Sequence, residues 1–390
     1  MVIHGTGCCL MDFLYAHADF SGPAFRANAS RREGDGGLSP GKLVFAEDLE
    51  RFAGRAYESL LAELTEGAAP DSCNIGGPSI VSLIHAAQVL QGQGHSVRYY
   101  GALGTDETGA VLKTALAKLP LEGIAVSVKE GPSSRTDVLS DPDYDNGHGE
   151  RTFIHLPGAS SFLYPEDLED SFFDAHIAAF GGTALLPPIH EELTPLLRKA
   201  RGCDAVTIVN LVYDYRMEAQ RKKWTLGRYD DAYPFIDILI ADREEAVKTS
   251  GQASEEAAAR WFLAQGTGAV VITQGAKPVT LTAGKGFFAP LDITRLPVCE
   301  ESAYNLPANK GDTTGCGDNF AGGIIAAVAE QFHRGAADLR EACISAIAAG
   351  GFARFTLGGV FYETYPGEKR ERLTAPLETY RKTLLKASKI

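Results

Sequence analysis

At 390 residues and 45% apolar composition, the chain can bury a large core, either as one α/β domain with an appendage or as two domains. A net charge of −13 with no basic block argues against a nucleic-acid partner, and no apolar run approaches the ~20 residues of a membrane span. Seven scattered cysteines without a C-x-x-C pair fit reduced thiols and offer no zinc site; with no secretory pattern at Met1 to Gly5, a soluble cytoplasmic protein is expected.

Val2 to Leu10 is a short apolar run ending at Met11-Asp12. Gly5-Thr6-Gly7 begins like a dinucleotide fingerprint, but Leu10 stands where the third glycine belongs and no helix clearly follows, so a Rossmann dehydrogenase is not expected. Residues 21–72 read as an inserted loop, glycine-rich over Gly34 to Gly41, and an amphipathic helix. Phe45, Leu49, Phe52, Ala53, Ala56, Leu60 and Leu64 recur at helical spacing, and Gly67 is a stop. Asn74-Ile75-Gly76-Gly77-Pro78-Ser79 opens a helix over Ile80 to Leu90. Ser96 to Tyr100 alternates as a strand, and the Gly101 to Gly109 turn carries Asp106 as cap for a helix over about 107–119. Arg135 to Leu139 and Glu150 to Leu156 flank the dense turn Asp141 to Gly147, a β-hairpin.

From Ala175 onward, apolar strands alternate with helical patterns, which predicts a parallel sheet covered on both faces. Asn210 to Arg216 follows one of these strands, Asp242-Arg243-Glu244-Glu245 follows another, and Thr273-Gln274-Gly275 closes a third. The chain then reaches Gly311-Asp312-Thr313-Thr314-Gly315-Cys316-Gly317-Asp318-Asn319-Phe320-Ala321-Gly322-Gly323, which runs into an apolar helical stretch. Capping residues, glycines and a helix start together leave backbone N–H groups at the positive end of a helix dipole, an anion cradle. Asp318 beside it would repel a phosphate unless it had a task, and accepting a proton from an attacking hydroxyl is that task; the plain alternative is a favourable charge in a first helical turn. The small-residue helix Ala342 to Phe355, with Gly350 in it, leads to Leu357-Gly358-Gly359 and suits either a flat adenine ring or helix packing. No G-x-x-x-x-G-K-[ST] occurs, so the P-loop solution is excluded.

The run Asp312 to Asp318 resembles the C-terminal D-T-x-G-A-G-D signature of the ribokinase-like, or PfkB, family of carbohydrate kinases, with Cys316 as the one departure. The resemblance implies a three-layer α/β/α sandwich with a small β-sheet lid from about 13–44 and 133–156, the whole of residues 1–390 forming one kinase domain. It implies ATP-dependent phosphorylation of a hydroxymethyl group on a sugar or sugar-like molecule. Asp318 would be the base, and Gly315, Cys316 and Gly317 would form the cradle. Asp12, Gly76 and Gly77 would hold the acceptor, with Arg135 and Arg151 reaching it from the lid. Asn210, Asp214, Arg216, Thr273, Gly275, Thr314 and Gly350 fall on the nucleotide side. Asp242 and Glu245 match an N-x-x-E motif that steers hydrated Mg²⁺, with Asp in place of Asn. Asp312 and Thr314 match a monovalent-cation site, which makes K⁺ a candidate activator. Val81 stands where relatives place a sugar-binding Asn, which leaves a nucleoside kinase open beside a sugar kinase, and a non-catalytic sugar or nucleotide sensor as a third reading. The lid is also a candidate homodimer surface.

Overall fold

The computed structural model describes residues 1–147, 149–304, 306, 313–334 and 337–387. Its strands in chain order are β1 (Val2–Gly7), β2 (Leu10–Tyr15), β3 (Leu43–Phe45), β4 (Ser72–Gly76), β5 (Ser96–Gly104), β6 (Gly123–Lys129), β7 (Arg135–Asp141) and β8 (Glu150–Leu156). They continue as β9 (Ile177–Gly181), β10 (Val206–Asn210), β11 (Ile238–Asp242), β12 (Ala269–Gln274), β13 (Lys277–Ala283) and β14 (Leu291–Leu296). The helices that matter below are α1 (Ala46–Ala53), α2 (Tyr57–Leu64), α3 (Pro78–Leu90), α4 (Glu107–Leu116), α5 (Leu193–Gly202), α6 (Tyr215–Ala219) and α7 (Arg243–Ser250). The rest are α8 (Glu255–Ala264), α9 (Cys316–Gln331), α10 (Leu339–Ala353) and α11 (Glu368–Ala387).

Among the described residues the main sheet has nine strands in the order β14-β13-β12-β11-β10-β9-β1-β5-β6. It is parallel from β12 to β6, with β13 and β14 added antiparallel at one edge. Side chains alternate between two cores. Ile3, Ile177, Ile208, Ile240 and Val271 face α3, α9 and α10, whereas Phe180, Val209, Leu239, Val270 and Ile272 face α5, α8 and the inserted segment. Helices on both faces explain why strands such as Ile238 to Ala241 are apolar at every position. This is the three-layer α/β/α sandwich expected from the sequence.

A second sheet, β3-β8-β7-β2-β4, forms the lid. It starts earlier and is wider than expected. The first apolar run does not continue unbroken to Asp12 but divides at Cys8-Cys9, so that β1 stays in the main sheet and β2 enters the lid. At the end of β1 the packing is tight: a side chain on Gly7 would collide with Gly181 and with Ser79 at the start of α3, so glycine is required there. Asn74 to Gly76, read from sequence as part of a helix opening, instead belong to the lid strand β4, paired antiparallel with β2, Asp12 lying opposite Asn74. The single amphipathic helix expected in the insertion is two, α1 and α2, because Gly54 takes a left-handed conformation at φ 67° and ends the first. The β7–β8 hairpin lies where the turn residues placed it.

β1 sits between β9 and β5, where the strand order reverses, and the ends of β1 and β9 open toward the lid. Such a switch point is where open α/β sheets bind ligands. Small residues let α9 lie against its neighbours there: a side chain on Gly322 would strike the Ser82 carbonyl of α3, and one on Gly323 the backbone of Ala346 in α10. Among the described residues no helix is long and apolar enough to cross a membrane.

Candidate active site

The cradle is built at the start of α9. Gly315 is its N-cap at φ 76°, and a side chain there would collide with the Cα of Gly359, so only glycine fits. Gly315 itself supplies no side-chain cap, and the Cys316 amide donates to the Thr313 carbonyl at 3.3 Å. The turn stands at the positive end of a sixteen-residue helix.

Gly317, in the first turn, differs in kind. Nothing among the described residues lies within 4 Å of where its Cβ would be, so the fold itself does not require glycine here. Gly317→Ala is therefore expected to leave the protein as stable as before or up to about 1 kcal/mol more stable, while kcat/KM falls by about 10²-fold as the methyl displaces the reacting group. Thermal unfolding and steady-state kinetics on the same preparation measure both.

Asp318 stands one residue on, at the edge of the buried interior. Loss of water around its carboxyl pushes its pKa up to about 6. A carboxylate tuned toward neutrality is suited to take a proton.

A second acidic group faces it. Asp242 ends β11 and caps α7, accepting from the Glu245 amide at 2.7 Å, while the Glu245 carboxylate accepts from the Asp242 amide at 2.7 Å. This reciprocal box aims both side chains. Burial, the Asp242 charge and, further down, Asp318 and Glu244 hold the Glu245 carboxyl well above the usual range; burial raises Asp242 as well. Lys42, from the inserted segment, pairs with Glu244. Carboxylates that repel one another in a partly dry cleft fit a hard cation. Among the described residues no group of three or more metal-ligating side chains converges.

The lid contributes two side chains of different kinds. Arg151, on β8, donates from Nη1 to the Thr314 hydroxyl at 3.2 Å and stacks its guanidinium over Phe153. It thus joins the lid to the lip of the cradle. Arg135 is committed elsewhere: it pairs at 2.8 Å with fully buried Asp137, which also accepts from the Tyr57 hydroxyl, and its guanidinium covers the Phe13 ring. That is the structural use of a strand arginine.

Asp12 lies at the centre of β2, buried at 7% exposure. Gly76 pairs with Leu10 in the neighbouring strand, and any side chain there would occupy the place of the Asp12 carboxylate; a side chain on Gly77 would meet the Cys8 carbonyl. The paired glycines are thus demanded by the lid's own packing, side chains at Gly76 and backbone at Gly77.

On the other side of the cradle, Thr273 pairs with Asp242 in the β11–β12 register, and Gly275 turns the chain into β13. Asn210 ends β10, where its carbonyl accepts from the Gly182 amide. Asp214 caps α6 by accepting from the Met217 amide at 3.0 Å, and Arg216 lies over the Phe45 ring at the lid's edge. Both are accounted for by packing and capping. Gly350 is not on an open wall: it is buried in the α9–α10 contact, where a side chain would press on the Cys316 carbonyl and Phe320. Helix packing therefore explains it. Asp312 lies outside the described residues.

Three residues near the cradle were not singled out from the sequence. Asn74 donates from Nδ2 to the carbonyls of Leu357, at 2.7 Å, and Val360, at 3.1 Å, and so ties the lid to the 357–360 loop. Asn319 donates from Nδ2 to the carbonyls of Gly315, at 2.9 Å, and Gly359, at 2.8 Å. Lys369 stands behind Asn319. Val81 packs on Gly359, which gives its apolar side chain a structural use. The position of Asn319 beside Asp318 was the one available signal; the contacts of Asn74 and Lys369 join distant parts of the chain.

The pattern of the pfkB family of carbohydrate kinases matches residues 84–361, well over half of the sequence. The chain belongs to that family. Solved structures share the fold: an adenosine kinase from Schistosoma mansoni in complex with 2-fluoroadenosine is 19% identical, with TM-score 0.69 over 93% of this chain and 97% of that one. An adenosine kinase from Sinorhizobium meliloti is 18% identical, with TM-score 0.69 over 98% of each chain. A ribokinase from Thermotoga maritima is 18% identical, with TM-score 0.61 over 97% and 99%. At such identity the likeness speaks to the fold, and the family match makes this protein a pfkB-family kinase.

Proposed function

We propose that this pfkB kinase transfers the γ-phosphoryl group of ATP to a hydroxymethyl group of a sugar or nucleoside, with Asp318 as the base. The observation that carries the reading is the pairing of a glycine-built helix start at Gly315–Gly317 with a desolvated carboxyl one residue further on. Asp12 and the backbone at Gly76-Gly77 orient the acceptor, so that its hydroxyl meets Asp318. Asp318 takes the hydroxyl proton as the oxygen attacks phosphorus. The amides of Gly315, Cys316 and Gly317 stabilise charge on the transferred group, and Arg151 closes the lid over it. Bound Mg²⁺ would neutralise phosphate charge, and Glu245 with Asp242 would hold its waters. Catalysis of this kind is positioning plus electrostatics.

Glu245→Gln tests the metal role without breaking the box, since glutamine serves the same cap. It is expected to raise the Mg²⁺ concentration for half-maximal activity by about 10–100-fold. An unchanged Mg²⁺ titration would remove Glu245 from the site.

A nucleoside acceptor is the second reading, and Val81 favours it. Its buried side chain offers no hydrogen bond to a sugar hydroxyl, and the structural neighbours from Schistosoma and Sinorhizobium are adenosine kinases. ADP release across sugars and nucleosides separates the two, and ligand binding without ADP release would leave the sensor.

A further inference from the structure

Lys369, at the start of α11, is 1% exposed, and its ammonium donates to Gln88 Oε1 of α3 at 3.1 Å and to Asn319 Oδ1 of α9 at 2.8 Å. Both acceptors are neutral, and no ion pair forms at this ammonium among the described residues. Burying an ammonium among neutral oxygens is costly, and an apolar side chain would fill the same volume more cheaply. A charge kept in such a place has something to hold.

What it holds is the Asn319 amide. Oδ1 takes the ammonium hydrogen bond and lies 3.0 Å from His85 Nδ1, which leaves Nδ2 to donate to Gly315 and Gly359. With a cationic donor on its oxygen, the amide cannot turn over. The same two carbonyls belong to the residues whose backbones touch at the cradle, Gly315 and Gly359. One connected set of hydrogen bonds therefore runs from Lys369 to the turn that presents the α9 amides.

We propose that Lys369 is a positioning residue for phosphoryl transfer: its ammonium locks Asn319, and Asn319 holds the Gly315 turn and the 357–360 loop in the geometry that receives the transferring group. The proposal rests on the kinase reading above. Burial pushes the Lys369 pKa down to about 7, with Glu363 acting in the opposite direction. The groups facing it are few. Gln88 and Asn319 are neutral, and burial, then Lys369, keeps His85 well below its usual value and hence uncharged. Glu363 accepts from the Lys369 backbone amide at 2.8 Å, and Glu368 is taken up by Arg372 and Thr364. As pH rises through about 7 the ammonium loses its charge and its hold on Oδ1 weakens. The lock is therefore strongest on the acid side of that pKa.

The test is kcat and KM for ATP against pH for the wild type, Asp318→Asn, Lys369→Met, Gln88→Leu and Glu363→Gln, with folding checked by circular dichroism. The wild type is expected to lose kcat as pH rises through about 7. Lys369→Met should lower kcat by about 10–100-fold, change KM far less, and abolish that alkaline fall. Gln88→Leu keeps the lysine and removes one acceptor, so it should move the fall to lower pH, which keeps the test decisive should the methionine variant not fold. Glu363→Gln keeps the ammonium's hydrogen bonds and removes the charge that raises its pKa, so it should retain the fall and move it to lower pH. A folded Lys369→Met with wild-type kcat and profile, or an alkaline fall unmoved in Gln88→Leu, overturns the proposal. Equal turnover of wild type and Asp318→Asn would instead overturn the base assignment and leave the lysine comparison readable.

Discussion

Asp318→Asn is expected to lower kcat by about 10²–10⁴-fold while ATP still binds, because the amide keeps the shape of the carboxyl and cannot take the acceptor's proton. Calorimetric ATP binding beside steady-state turnover measures the two effects separately. The wild type should lose kcat/KM about tenfold per unit as pH falls below about 6, where the carboxyl becomes protonated, and the variant's residual rate should not follow that limb. The same residue predicts a gain in stability. Its folded pKa is raised above the ordinary carboxylate value, so its contribution is favourable at low pH, is lost as pH rises through about 6, and remains lost above. Replacing it by a neutral amide should then stabilise the protein at neutral pH by roughly 1–3 kcal/mol, a gain that shrinks toward about pH 4. Thermal unfolding at the two pH values reads the difference. Lower activity joined to higher stability would mark a carboxyl held in place for its chemistry; equal or lower stability at neutral pH would say that the desolvation has been misread.

Gly315→Ala is the second large effect, with the opposite stability sign from Gly317→Ala two residues away. Alanine at φ 76° is strained, and its methyl would strike Gly359, whose carbonyl and that of Gly315 both accept from Asn319. Strain in a left-handed non-glycine residue costs about 1–3 kcal/mol before the collision is counted. Shifting the turn withdraws amides from the transferred group, for which the loss of one donor sets a scale of about 10²–10³ in kcat. Unfolding and turnover of the two alanine variants, compared side by side, distinguish a glycine the fold requires from one that a ligand requires. A stable, active Gly315→Ala would show that the cradle is not where phosphate is held.

Local chemistry decided what was legible in the sequence. The 311–323 stretch stood out because glycines, capping residues and a carboxylate fall within a few positions of a helix start, the local combination that an anion-receiving turn would need. The alternation after Ala175 announced a covered parallel sheet for a similar reason, since strands buried on both faces are apolar throughout. What stayed hidden depends on partners distant in the chain. Cys8-Cys9 is as apolar as its neighbours, so the division of the run is not marked there, and only the arrival of Ser79 shows why residue 7 is glycine. Asn74 looks like a loop residue until Leu357 and Val360 come to meet it, and Lys369 like a solvated charge until α11 lays it against Gln88 and Asn319. Arg135 and Gly350 show the converse: residue types with a functional precedent that the fold uses to pair Asp137 and to seat one helix on another.

The central claim is most directly tested by ADP formation from Mg-ATP, with wild type and Asp318→Asn run together across pentoses, hexoses, keto-deoxy acids, polyols and nucleosides. The account predicts ADP with at least one acceptor bearing a hydroxymethyl group, a phosphorylated acceptor in equal amount, and near-complete loss of both in the variant. ATP binding without ADP formation on any acceptor, or turnover that survives Asp318→Asn, would contradict it.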